Sequence, residues 1–254
     1  MRGLLLACVA LTGPVLAAEP LRLEVYNPGH QAIFPVSSVI VTGEKHAILV
    51  DAQFGKAQAE QLVQRLRASG KTLTTIYISH GDPDYYFGLD TLTQAFPDAK
   101  VLASAATVAH IRQTMDAKLS YWGPQMGADK PARLVVPQVL DGNQLLLEGQ
   151  ALEVVGLDGP QPERSFVWIP SIKAVVGGVV VAENIHVWMA DTSRPSPMPT
   201  GSARSRRSRS WRRAPWFPVT SWARAAVRWR RCASPRTTFV TSMPRRPRRK
   251  MPGP

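Results

Sequence analysis

Residues Leu73 to Ile78 read L-T-T-I-Y-I, and the next ten, Ser79 to Gly88, read S-H-G-D-P-D-Y-Y-F-G. An apolar, β-branched run of this length bounded by Gly and Pro predicts a buried strand. Its abrupt end in a polar turn restricts the chain to folds in which a central strand opens into a loop. One imidazole, His80, and two carboxylates, Asp82 and Asp84, alternate along that turn, at the kind of strand end where α/β proteins build their sites. Gly81 and Pro83 favour a backbone that folds back on itself, as ligands spaced two apart must do to reach one ion.

The surrounding pattern predicts an order of elements. Leu23 to Tyr26, Val36 to Thr42 and Ala47 to Asp51 read as strands, with Gly43-Glu44-Lys45 as a hairpin turn. Ala59, Leu62, Val63 and Leu66 recur at helical spacing, and Gly70 stands where a helix C-terminal cap is expected. After the strand that leads to His80 come a helix over Leu89 to Phe96, a strand over Val101 to Ala103 and a long helix from Ala105 toward Tyr121. Strands then follow over Leu134 to Val139, Gln144 to Leu147, Ala151 to Leu157, Ser165 to Ile169 and Ala174 to Val181. No internal repeat is found.

The Ser79 to Gly88 stretch resembles the signature of the metallo-β-lactamase superfamily, His-x-His-x-Asp-His followed closely by Gly, with Asp82 in place of the second His and Tyr85 in place of the third. The strand ending at Asp51 resembles the superfamily's early strand, whose terminal Asp orders the site loops. Leu152 to Gly159 stands where the superfamily has a strand ending in Gly-His, with Asp158 roughly at that His. Val175 to Gly178 stands where a Gly-Asp supplies a bridging carboxylate, which is missing here. The resemblance covers about Leu21 to Thr192. It implies an α/β fold, the metallo-β-lactamase-like αβ/βα four-layer sandwich, incomplete at its C-terminal side. It further implies one divalent ion held by His80, Asp82, Asp84 and either Asp158 or His186. Zinc is the family's usual ion, and a carboxylate-rich donor set shifts preference toward manganese or iron. The implied activity is cleavage of an ester, lactone, thioester or amide in a small-molecule substrate by metal-bound water, with Asp84 orienting that water and Tyr85 or Tyr86 donating to the developing oxyanion.

A plainer reading of the same turn is a helix cap, in which the Asp side chains serve backbone amides. His30, His46 and His110 show no partner spacing and read as surface or packing residues. Trp168, Trp188, Tyr121 and Trp122 read as core or rim.

Both ends of the chain differ from this body. Residues 1–18, with Arg2 before an apolar run Leu4 to Leu16 and a small-residue cleavage site, read as a signal peptide. They predict export to the periplasm or beyond. Only Cys232 lies outside that segment, so no internal disulfide framework is expected. Of the 31 basic residues, seventeen follow Thr192, and none of the 18 acidic residues does. The part before Ser193 is therefore mildly acidic, and residues 193–254 form an Arg/Pro/Ser-rich tail.

Taken as written, such a tail would bind nucleic acid or anionic membrane through its charge, with Trp211, Trp216, Trp222 and Trp229 free to stack. Its near-exclusive use of Arg over Lys is what GC-rich DNA yields out of frame. Shifting the frame by one base lets Pro197 to Ser202 encode His-Ala-Asn-Trp-Leu and Pro215 to Ala223 encode Val-Val-Pro-Gly-His-Gln-Leu-Gly. Val-x-Pro-Gly-His is how superfamily members supply their last histidine ligand. The expectation is a single-base frame change near Thr192, in which case no nucleic-acid or membrane partner follows from the tail. Two further function classes stay open: a binding protein that keeps the fold without catalysis, and a nucleic-acid or membrane binder acting through a genuine tail.

Overall fold

The computed structural model describes residues 19–159 and 161–179; residues 1–18, His186 and residues 193–254 lie outside them. The described residues build two sheets. The first is six-stranded, in the order β1 (Arg22–Tyr26), β2 (Ser38–Thr42), β3 (His46–Val50), β4 (Thr72–Ile78), β5 (Lys100–Ala103), β6 (Gln138–Val139). Hairpins make its first three strands antiparallel, and the pairings from β3 onward are parallel, each reached through a helical crossover as parallel pairing requires. The second sheet is a four-stranded antiparallel meander of β7 (Gln144–Leu147), β8 (Gln150–Val155), β9 (Phe166–Ile169) and β10 (Ala174–Val176).

The helices are α1 (Lys56–Ala68), α2 (Pro83–Tyr86), α3 (Leu89–Ala95) and α4 (Ala105–Met126). α1 buries the four residues whose spacing predicted it, Ala59, Leu62, Val63 and Leu66. Just past its end Gly70 takes the left-handed conformation (φ 67°) expected of a cap. α4 starts at Ser104, whose hydroxyl accepts the Thr107 amide. It runs through Pro124 to Met126, a turn further than the pattern suggested. The expected strand over Leu134 to Val139 shrinks to Gln138–Val139, because Pro137 has no amide to donate to a ladder; Leu134, Val135 and Val136 pack on the helix side instead.

Two apolar clusters result, and the first sheet is the wall between them. Along β3, Ala47 and Leu49 face the helices while Ile48 and Val50 face the second sheet, the period-two alternation of a strand buried on both sides. Leu145, Leu147, Leu152, Val154, Val167, Ile169 and Val176 close the second cluster from the meander. Each such side chain contributes about 1.5–3 kcal/mol by leaving water. On the helix side, Trp122 stands edge-on to Phe34 (5.0 Å) and Phe54 (5.7 Å), and Phe54 stacks on Phe87 (5.7 Å). Tyr121, its neighbour, is 66% exposed and belongs to the rim.

A polar clasp joins the two sheets at the β2–β3 hairpin. The Glu148 carboxylate, from the β7–β8 turn, accepts the backbone amides of Glu44 (2.7 Å), Lys45 (2.6 Å) and His46 (2.8 Å). These bonds hold its pKa down to about 2, and His46 Nδ1 lies 3.3 Å away.

Gly88 shows how closely the loop after β4 is packed. Its amide donates to Gln53 O at 2.9 Å, and a Cβ there would collide with the Ala52 carbonyl oxygen. Because backbone is the obstacle, Gly88→Ala is expected to destabilise the chain by about 2–4 kcal/mol, read as a lower midpoint in urea at unchanged slope.

Candidate active site

The site is built around the ends of β3 and β4. β3 finishes at Asp51, which is fully buried and left-handed (φ 66°). Its carboxylate accepts the Ser79 amide (2.9 Å), the Ser79 hydroxyl (2.8 Å) and the Gly178 amide (3.2 Å). Burial pushes its pKa up to about 6, with those hydrogen bonds opposing the rise. Asp51 thus ties the start of the His80 loop to the turn after β10, the ordering role that resemblance suggested for the Asp at this strand end. Ser165 completes the seam: its amide and hydroxyl both donate to Ser79 O at 2.9 Å, and its hydroxyl meets Tyr77 OH at 2.8 Å. Gly178 has φ 72°, and a Cβ on it would strike Ser165 O, so glycine is required there.

His80 follows, 2% exposed, and bridges to Arg164 through the backbone. Its Nδ1 accepts the Asp82 amide at 3.0 Å. Burial, chiefly, drives its pKa down to about 4, with Asp82 opposing and Arg164, Lys118 and His110 adding to the fall. The ring is therefore neutral at pH 7, and with Nδ1 accepting, its proton sits on Nε2. That Nε2 is buried without a partner among the described residues.

Asp82 is claimed by a cation. Lys118, from the middle of α4, places Nζ 2.6 Å from Asp82 Oδ1 and 3.2 Å from Gly81 O. Burial alone would raise the Asp82 pKa, but the neighbouring His110, His80 and Lys118, the last by a direct bond, take it well below the usual carboxylate range. His110, on one face of α4 with Lys118, packs so tightly on the loop that a Cβ on Gly81 would come within 2.5 Å of its ring.

Asp84 lies in the first turn of α2. Burial first and the Asp82 charge second push its carboxyl up to about 7. Tyr85 is buried with its ring 4.8 Å from that of His80, and its carbonyl accepts the Ala52 amide at 2.7 Å. The Tyr86 hydroxyl is buried and has no partner among the described residues.

The structure therefore gathers His80, Asp82, Asp84 and Tyr85 on one loop. Asp158 lies in an exposed turn after β8, and His186 lies outside the described residues. Ser79, His110, Lys118, Arg164 and Ser165 join the site without having been singled out as members from the sequence. His110 and Lys118 both come from α4, two turns apart, and meet the loop together.

The described residues do not by themselves fit a metal ion. No group of three His, Cys, Asp or Glu among them is arranged to hold one. Asp82 is occupied by an ammonium, and His80 presents a proton where a ligand needs a lone pair.

A family model described as Metallo-beta-lactamase superfamily matches residues 32–215, most of the chain. The chain belongs to that superfamily. A metallo-beta-lactamase from Pontibacter korlensis has a similar fold, with a TM-score of 0.50 and 16% identity over 85% of this chain and 84% of that one. A metallo-beta-lactamase family protein from Thermus thermophilus gives a TM-score of 0.49 at 17% identity, over 66% of this chain and 62% of its own. Among curated proteins, the uncharacterized protein YobT of Bacillus subtilis (strain 168) is 37% identical over 73 residues, 29% of this chain and 31% of YobT. The match thus spans about a third of that relative. Membership supports a metallo-hydrolase-like function, and the superfamily typically binds divalent metals.

Proposed function

We propose that this chain is an exported hydrolase cleaving an ester, lactone, thioester or amide of a small-molecule substrate at the loop that ends β4. What supports this reading is the gathering on one strand end of a buried imidazole with an unpartnered nitrogen and a carboxyl raised to about 7, both behind a loop fastened by Asp51. A carboxyl whose pKa lies near the working pH is suited to take a proton from an attacking water, which assigns that role to Asp84. The His80 Nε2–H is a donor fixed by its other nitrogen and buried without a partner among the described residues. Tyr85 packs the His80 ring in place.

If the complete chain holds a divalent ion, its further donors come from beyond the described residues, where His186 lies. Zinc is the first choice from the superfamily, manganese or iron the next. We also place residues 193–254 in a shifted reading frame and residues 1–18 in a cleaved leader; re-sequencing across the codons for Ala182 to Arg224, and the N-terminal sequence of the exported protein, test these two points.

The experiment for the activity is turnover by the purified full chain of one chromogenic ester, lactone, thioester and amide, metal-depleted and with zinc, manganese or iron(II) added. Hydrolysis of at least one class is expected. No turnover of any class with any ion would sink the reading and leave the non-catalytic binding protein, which the Lys118–Asp82 pair already favours as second choice.

A further inference from the structure

We propose that the ammonium of Lys118, and not a metal ion, is the resident counter-charge of Asp82, so that α4 fastens the His80–Tyr85 loop in its working shape without an ion at that carboxylate. This rests on reading the loop as the site, but not on hydrolysis.

Lys118 Nζ has three protons and meets three acceptors: Asp82 Oδ1 at 2.6 Å, Gly81 O at 3.2 Å and His110 Nε2 at 3.2 Å. A lysine ammonium offers three donors and no acceptor, so its bonding is complete. The side chain is only 20% exposed, which separates this pair from the surface ion pairs that contribute little. His110 Nε2 lies 3.9 Å from the same Asp82 oxygen, so the carboxylate faces two groups from one helix.

A second observation points the same way. The His110 ring occupies the space where any side chain at position 81 would stand. The helix therefore meets the loop by close packing at Gly81 and by charge at Asp82. A metal-binding carboxylate needs its oxygens directed at the ion; here Oδ1 is spent on the ammonium, while Oδ2 lies 3.6 Å from His80 Nδ1. Replacing the second His of the superfamily signature by Asp is then matched by a lysine from a helix 36 residues away. The two changes make sense together.

The test uses the full chain as wild type, Asp82→Asn, Lys118→Met and the double variant. After dialysis against metal-depleted buffer, zinc, manganese and iron are measured per chain, and thermal unfolding is recorded. Wild type and Asp82→Asn are expected to carry the same metal content, whatever its value. Each single variant should lower Tm by several degrees, and the double variant should fall little further than the worse single one, because the partners act as a unit. Amide exchange at Gly81 and Asp82 should speed up at least tenfold in Lys118→Met.

One equivalent of metal in wild type that disappears in Asp82→Asn would overturn the proposal, as would Tm losses that simply add. Should Lys118→Met fail to fold, the metal content of Asp82→Asn decides alone. Turnover separates this from the hydrolase reading: an active enzyme that loses its ion with Asp82 refutes only the lysine, and an inactive chain with unchanged metal content refutes only the hydrolase.

Discussion

Replacing Asp51 by Ala will cost the fold about 3–5 kcal/mol, a large share of what a domain of this size has. The Asp51 carboxylate is fully buried and is the acceptor for two backbone amides and one hydroxyl. Removing it strands those donors away from water, at about 1–3 kcal/mol for each buried group left unpaired. Asp51→Asn keeps the shape but turns one acceptor into a donor, and it should cost less. The comparison of wild type with Asp51→Asn also has a pH signature. The Asp51 carboxyl is raised to about 6 in the folded chain from an ordinary 3.8, so the folded state binds its proton more tightly. Stability from this group is fully present below about pH 4 and is lost as pH rises through 6. The advantage of wild type over Asp51→Asn should therefore shrink by roughly 3 kcal/mol between pH 4 and 7, since a tenfold change in proton affinity is worth about 1.4 kcal/mol. Urea unfolding at four pH values measures it; an advantage that grows with pH would contradict the assignment.

Asp84→Asn is expected to lower kcat/KM by about 10²–10⁴-fold, the usual worth of a positioned general base. The group must be deprotonated to accept a proton. Wild-type activity should thus rise with pH and level off above about 7, where the Asp84 carboxyl ionises, and that limb should vanish in the variant. Retained activity with an unchanged pH profile would move the base to another residue.

How far the sequence foretold this arrangement depends on the range of the interaction. α1 and β4 declare themselves within a window of a dozen residues, because burying one helical face or both strand faces leaves a regular trace. The His80–Gly88 loop is contiguous, so its donors could be named from the letters. The frame around it could not. Asp51 reaches Gly178 across 127 positions and Lys118 reaches Asp82 across 36, and no local pattern encodes such pairs. The left-handed backbone at Asp51 and Gln53 is equally silent, since neither residue type announces it. Pro124 inside α4 and Pro137 before β6 act in opposite directions: the helix continues past the first, and the second leaves only a short strand.

The Glu148 clasp has a bearing on how this chain can drift over generations. Three of its bonds end on main-chain amides, which nineteen of the twenty amino acids supply alike. Positions 44, 45 and 46 can therefore change freely in charge and size while the two sheets stay joined, as long as none becomes proline. The whole constraint falls on a single carboxylate in the facing turn. Relatives that keep this junction should show an acidic residue aligned with Glu148 opposite a hairpin whose own letters have wandered.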